Sequence, residues 1–178
     1  MDVKQAIETR RAYRSLAPLE VTPKLLADLA QAARLAPSCF NNQPWRFVAV
    51  YELPQLDQLK EKGLSRGNAW AKEASLIIAV CSQKELDCII KDREYSLFDT
   101  GIATAHLVLR ATELGLIAHP IAGYKPVKVR EVLGIPQDVT VIALVVVGKP
   151  GDLSEEKERP ERLEPAQFFF HNAWVKKS

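Results

Sequence analysis

The chain has no apolar run long enough to cross a bilayer. A spanning helix needs about 20 consecutive apolar residues, and the longest candidates, around residues 75–81 and 139–147, fall well short. No charged-then-apolar leader follows Met1, so the expected address is the cytosol, away from the membrane. Cysteine is scarce. Cys39, Cys81 and Cys88 are an odd count without metal-type spacing, which argues against a disulfide framework and against a zinc site. Neither charge sign dominates: 24 Lys and Arg stand against 22 Asp and Glu, a net charge of +2. That excludes a general electrostatic footprint for nucleic acid. There is no internal repeat, no G-x-S-x-G elbow, no G-x-x-x-x-G-K-[ST] loop and no G-x-G-x-x-G fingerprint, which sets aside hydrolase, P-loop and dinucleotide-fold chemistry. The three histidines, His106, His119 and His171, are too widely spaced for a ligand pattern. His106, on an apolar helix, is expected to be a satisfied core histidine.

What is present is an ordinary globular balance. Hydrophobic residues make up 47% and charged residues 26% of 178, enough for one domain with a sizeable core. Thr22-Pro23 is an N-cap followed by proline at the first helical position, and the apolar stripe that follows predicts a helix from Pro23 to Leu35. Residues 46–51 read as a strand and residues 53–62 as an amphipathic helix with Leu56 and Leu59 inward. Ser75 to Cys81 and Val139 to Val147 are continuous apolar runs, expected to be strands buried on both faces. Tyr95 to Leu114 is helical and apolar nearly all round, which requires either a central position or a partner to cover it. Gly115 caps it, and Val127 to Leu133 follows as a short helix. The stretch from Lys149 to Pro165 is charged and proline-rich, yet it leads to Phe168, Phe169, Phe170 and Trp174. Aromatics beyond a polar arm are expected to reach another surface, such as a second subunit.

Two stretches carry candidate chemistry. Arg10, Arg11 and Arg14 place three guanidiniums within five residues, following a helical segment that holds Val3, Ala6 and Ile7. Arg10 and Arg14 share a face if that helix continues, and an anion among them relieves their repulsion; Arg's planar fork suits phosphate. A solvated basic helix end is the plainer reading. The second stretch, Leu35 to Val50, has Pro37 and Pro44 interrupting regular structure among Ser38, Asn41, Asn42 and Gln43, which leaves a polar loop between hydrophobic elements. Cys39 lies in it, and a nucleophilic thiol there has no base visible nearby. Cys81, inside a strand, is expected to be inert.

Taken together, Arg10-Arg11-x-x-Arg14, the P-S-x-x-N-x-Q-P-W segment from Pro37 to Trp45, Asn68, Leu114-Gly115-Leu116 and Pro120 to Tyr124 resemble the FMN-dependent nitroreductase family. The resemblance covers nearly the whole chain, and the P-S-x-x-N-x-Q-P-W segment is its most specific part. It implies an α+β fold with a central, mostly antiparallel sheet flanked by helices, as one domain over residues 1–178. It implies a homodimer in which residues 149–178 form an arm packing on the partner, with FMN bound between subunits. It also implies hydride transfer from NADH or NADPH through FMN to nitroaromatics, quinones or similar small acceptors by a ping-pong scheme, with no protein nucleophile, no metal, no nucleic acid and no membrane.

The resemblance further implies roles for particular residues. Arg10 and Arg11 match phosphate and ribityl contacts, and Arg14 a basic residue near the flavin N1 and C2 carbonyl, where a cation favours hydride uptake. Ala12 stands between them where many members have serine. Pro37, Ser38, Cys39 and Asn41, with Gln43 in the same loop, match a segment that reaches the flavin from the other subunit. Asn68 matches a contact to the pyrimidine edge; Trp70 lies closest to a lysine often found just beyond it. Pro120, Ile121, Ala122 and Gly123 match the segment passing N5, with Gly123 allowing close approach. Arg162, or alternatively Arg159, matches a phosphate contact from the arm. Residues 84–95 are the short lid candidate, with Asp92, Arg93 and Glu94 as polar lining. Two other readings are a flavin-carrying protein with little turnover, and a non-catalytic dimeric interaction module.

Overall fold

A computed structural model describes residues Met1–Trp174. The part of the expected arm from Val175 to Ser178 lies outside the described residues.

The two apolar runs form the middle of the sheet. Strand β1 (Leu16–Ala17) precedes helix α2 (Pro23–Arg34), and strand β2 (Trp45–Val50) follows it. Strand β3 (Leu76–Gln83) pairs with β2, and strand β7 (Val139–Pro150) pairs with β3 on the other side, placing Phe47 opposite Val80 and Ile78 opposite Val145. Beyond β7 lie strand β6 (Ile117–Ile121), with His119 opposite Val146, and β1, with Leu16 opposite Pro150. Every strand pair among the described residues is antiparallel. Thus β2 forms one edge of the sheet, and β6 with β1 forms the other.

Side chains on a strand alternate between faces, so each central strand supplies two cores. Ile77, Ala79, Cys81, Leu144 and Val146 face helix α3 (Gln55–Gln58), the wider helical turn Leu59–Gly63 that continues it, and helix α5 (Pro126–Leu133) through Val129. Leu76, Ile78, Val80, Val145 and Val147 face α2, through Leu29 and Ala33, and helix α4 (Ser96–Glu113), through Ala103, Leu107 and Ala111. Burying each such aliphatic side chain contributes about 1.5–3 kcal/mol, which makes this three-layer arrangement the source of stability.

Helix starts follow local chemistry. Thr22 Oγ1 accepts from Leu25 N–H at 3.2 Å with Pro23 at the first helical position. Helix α1 (Val3–Thr9) opens on a capping box between Asp2 and Gln5. It ends earlier than the sequence suggests. Arg10 adopts φ −52° and ψ 127°, so Arg10 to Arg14 run as extended chain and do not share a helix face.

Helix α4 has one buried face, while Leu97, Phe98, Gly101 and Ala105 are exposed. The core-histidine expectation for His106 is corrected. It is half-buried and lines a cavity of about 420 Å³ between α1, α2 and α4, beside Leu35 and Arg110. The lid candidate is a single helical turn (Lys84–Leu86) and a two-pair hairpin of β4 (Ile89–Ile90) and β5 (Arg93–Glu94), with Asp92, Arg93 and Glu94 exposed. Among the described residues, no helix is long and apolar enough to cross a membrane.

Candidate functional site

The extended segment Arg10–Ser15 lies at the β1 edge, and the start of the C-terminal arm runs back along it. Gly151 N–H donates to Ser15 O at 3.1 Å, and Glu156 Oε1 accepts from the backbone N–H groups of Arg14 and Ser15. Arg159 Nη2 donates to Glu8 O and to Arg10 O, both at 2.8 Å, while Arg11 Nη1 takes Glu8 O at 2.8 Å and Arg10 O at 3.1 Å. These guanidiniums satisfy carbonyls left without intrahelical partners at the end of α1.

The result is a cationic cluster. Burial, then Arg159, Arg162 and Arg11, push the Arg10 guanidinium below its ordinary pKa. Among the described residues, Arg10, Arg11, Arg14, Arg159 and Arg162 make no side-chain ion pair with a carboxylate. Glu156 is the carboxylate at hand, but it is bound to backbone N–H groups, so guanidiniums gathered without ion-pair partners repel one another and favour an anion. Both arm arginines therefore lie near Arg10, with Arg159 bonded to its carbonyl. Ala12 is exposed and offers no hydroxyl.

A chain of contacts leads from this cluster to Gly123. Tyr13 O meets His119 Nδ1 at 3.1 Å. A carbonyl only accepts, so Nδ1 carries the proton. Burial pushes the His119 pKa down; the Tyr13 bond opposes this, and Arg14 and Arg10 lower it further. The imidazole packs on Trp70 with ring centroids 4.7 Å apart. Trp70 Nε1–H donates to Asn68 Oδ1 at 3.1 Å, and Asn68 Nδ2 donates to Gly123 O at 2.8 Å. Ser65 Oγ–H donates to the same carbonyl at 2.6 Å.

Two of the residues assigned from the sequence are thus already engaged within the chain. The amide of Asn68 is committed to Gly123 and Trp70, leaving one Nδ2 hydrogen for any further contact. Gly123 is tight against its own chain, since a Cβ there would meet Asn68 Nδ2 and lie 2.8 Å from Ser65 Oγ. Close approach is thus already used internally. Of the neighbouring residues, Pro120 and Ala122 are exposed, whereas Ile121 points into the core and offers only its backbone.

The Pro37–Gln43 loop sits elsewhere. It enters β2 at the edge opposite β6, where Gln83 N–H donates to Pro44 O at 2.9 Å. Three inter-strand spacings, about 14 Å, separate the two edges. Within one chain the loop does not join the arginine cluster. Its backbone is unusual: Phe40, Asn41 and Gln43 have φ of 49°, 58° and 49°, a region costly for non-glycine residues and maintained only by surrounding contacts. Ser38 Oγ accepts from Gln43 N–H at 3.0 Å, and Asp99 Oδ2 on α4 accepts from Cys39 N–H at 3.0 Å. Phe40 is 83% exposed.

The cysteine expectation is also corrected. Cys39 and Cys88 form a disulfide with Cα atoms 5.8 Å apart, so neither a free nucleophilic thiol at Cys39 nor the absence of disulfides holds. The pairing spans 49 residues and left no local spacing signal. Cys81 is the free cysteine, and burial in β3 pushes its thiol up to about 11, so it is inert at neutral pH.

Sequence reasoning passed over Ser65, His119, Asp99 and Glu156. Only Asp99 had a usable signal, as a lone carboxylate within the apolar sequence of α4. Among the described residues, no group of three or more His, Cys, Asp or Glu is placed to hold a metal ion.

The model of the Nitroreductase family matches residues 7–72 and 53–149. The chain belongs to the nitroreductase family. A protein of Archaeoglobus fulgidus, provisionally named an NADH dehydrogenase/NAD(P)H nitroreductase, is 30% identical over 163 residues, covering 89% of this chain and 91% of its own length. An NAD(P)H FMN reductase of Bacillus subtilis is 24% identical over 175 residues, covering 89% of this chain and 70% of its own. A crystal structure described as an oxidoreductase containing FMN superimposes with a TM-score of 0.86 at 29% identity, over 99% of this chain and 95% of that one. The nitroreductase fold expected from the resemblance is thus the fold observed, with its helices on both faces of an antiparallel sheet.

Proposed function

We propose that this nitroreductase-family chain is an FMN-dependent NAD(P)H oxidoreductase acting on small acceptors such as quinones and nitroaromatics by a ping-pong scheme. The observation that carries the proposal is the cluster of Arg10, Arg11, Arg159 and Arg162, which lacks carboxylate partners among the described residues and lies one short contact chain from Asn68 and Gly123. Its donor set suits a phosphomonoester, because guanidiniums bind phosphate oxygens by charge-assisted, often bidentate hydrogen bonds. When bound, FMN supplies the redox chemistry, accepting hydride from the nicotinamide and passing it to the acceptor.

The chain's own residues bind, orient and tune. Arg10, Arg11 and an arm arginine hold the phosphate. Arg14, near His119, adds positive charge where negative charge arrives with the hydride. Asn68, locked by Trp70 and Gly123, offers a hydrogen-bond donor of fixed direction, and the β6 end from Pro120 to Gly123 provides a flat backbone wall.

The Pro37–Gln43 loop completes the site from a second copy of the chain. The opposite-edge placement of loop and cluster supports this reading, as do the exposed apolar positions Leu97 and Phe98 on α4. The tail supports it too: Phe168, Phe169 and Trp174 remain exposed, with Trp174 at 78%. Those aromatics are proposed to pack on the partner. The test is steady-state oxidation of NADH and NADPH by the FMN-loaded protein with a quinone or nitroaromatic acceptor. Turnover with at least one acceptor is expected. FMN bound without turnover on any acceptor would favour a flavin-carrying protein, and a dimer that binds no FMN would favour an interaction module.

A further inference from the structure

The Cys39–Cys88 bond joins two segments that are otherwise weakly held to each other. On one side is the Pro37–Gln43 loop, whose three left-handed residues need outside support. Outside the loop's own internal hydrogen bonds, it is tied by the Asp99 carboxylate on Cys39 N–H and by Arg46 Nη1, which donates to Gln43 O at 3.1 Å. On the other side is the β4–β5 hairpin, with only two residue pairs, Ile89 with Glu94 and Ile90 with Arg93. A lone two-pair hairpin is not stable by itself. The Lys84–Glu94 ion pair at 3.8 Å is exposed on both partners and contributes little. Asp87 holds the hairpin base, accepting from Tyr95 N–H, Ser96 N–H and the Ser96 hydroxyl at 2.7–2.9 Å.

We propose that Cys39 and Cys88 form a reversible thiol–disulfide exchange site, whose redox state sets how firmly the β4–β5 hairpin is held against the Pro37–Gln43 loop. The Cα separation of 5.8 Å lies within the range a disulfide spans. Cys88 is buried and Cys39 half-buried, so Cys39 Sγ is the sulfur that an incoming thiolate reaches. The co-reactant is a low-molecular-weight thiol of the glutathione class. Its thiolate attacks Cys39 Sγ and forms a mixed disulfide, breaking the Cys39–Cys88 bond; the electron pair leaves on Cys88 Sγ, which takes a proton from water. A second thiol attacks the mixed disulfide at the reagent sulfur and releases the Cys39 thiol. The balance is one protein disulfide and two small thiols giving one protein dithiol and one small disulfide, and oxidised glutathione drives the reverse. Cys81, the remaining cysteine, is buried in β3 and stays outside the exchange. The consequence for a cofactor rests on reading the loop as part of the FMN site; the exchange itself does not.

The test uses the full-length protein equilibrated in glutathione buffers from fully reduced to fully oxidised. Accessible thiols are then trapped with iodoacetamide and located by mass spectrometry, and parallel samples receive brief trypsin digestion. The exposed residues Lys91, in the turn, and Arg93, at the start of β5, are the reporters. Protection of Cys39 and Cys88 is expected in oxidised buffer and alkylation of both in reduced buffer, with tryptic cleavage after Lys91 and Arg93 about tenfold faster in the reduced state, as for release of a local opening constraint. Cys39→Ser should cleave at the reduced rate in either buffer, whereas Cys81→Ser should keep the full response. Alkylation of both residues in oxidised buffer would overturn the proposal, as would equal cleavage in the two wild-type states. Those wild-type readings decide the matter even if Cys39→Ser does not fold. Flavin absorbance on the same samples tests the cofactor assignment separately.

Discussion

Asn68 and Gly123 hold each other too closely to admit a methyl group. Asn68 Nδ2 donates to Gly123 O at 2.8 Å, and a Cβ on Gly123 would overlap that same nitrogen. Gly123→Ala should therefore displace the amide and with it the Trp70 contact, at a cost of about 1–3 kcal/mol. Urea unfolding measures this directly. Adding Asn68→Ala should recover part of the loss, because the nearer overlapping group is then gone and only Ser65 Oγ must shift. A Gly123→Ala midpoint equal to wild type would show that the amide moves freely.

His119 predicts a pH dependence of stability. Burial pushes its folded pKa below the ordinary histidine value, so the unfolded chain binds more protons through that window. Stability therefore rises with pH up to about 6.5, the unfolded value, and falls as pH drops below it. His119→Gln, neutral throughout, should flatten the profile between about pH 5 and 7. A histidine contribution of the opposite slope would contradict the burial argument.

Asp99 is 3% exposed, and its carboxylate holds the Cys39 N–H at 3.0 Å. Asp99→Asn keeps an acceptor oxygen and should change stability little. Asp99→Leu leaves the Cys39 N–H without that acceptor and should cost about 1–3 kcal/mol. The comparison of the two midpoints isolates the hydrogen bond. Equal midpoints would mean that the loop does not depend on it.

The arm separates into two parts. β7 runs through Pro150 and pairs with β1, so removing residues from Lys149 onward would damage the sheet itself. Ending the chain at Glu164 instead keeps Glu156, Arg159 and Arg162 but removes Phe168, Phe169, Phe170 and Trp174. This shortened chain should dissociate at concentrations where wild type sediments as a dimer, and lose FMN in step. A truncated chain that stays dimeric and fully yellow would contradict the proposed crossing tail.

What could be read from the sequence was whatever short-range physics decides. The runs at β3 and β7 are apolar enough to be strands in any context, and Thr22-Pro23 starts α2 with its own side chain. The P-S-x-x-N-x-Q-P-W loop was visible as a motif. Long-range contacts were not visible. The carbonyls of Glu8 and Arg10 at the end of α1 are met by Arg159, roughly 150 positions away. The Cys39–Cys88 bond and the Asp99 anchor likewise exist only once α4 lies beside the loop. Gly123 was recognised as a close-approach glycine, and within the chain it makes room for Asn68, a contact no local pattern announces.

The measurement that bears most directly on the central claim is the visible spectrum of purified protein after incubation with FMN and desalting, compared with Arg10→Ala carrying Arg159→Ala. Wild type should retain flavin bands at about 370 and about 450 nm with close to one flavin per chain. The double variant should lose them while remaining folded, the relief of repulsion between guanidiniums offsetting part of the loss of the two hydrogen bonds from Arg159 to Glu8 O and Arg10 O. A colourless wild-type protein, or a double variant that holds FMN equally well, would contradict the assignment of the arginine cluster as the cofactor's phosphate site.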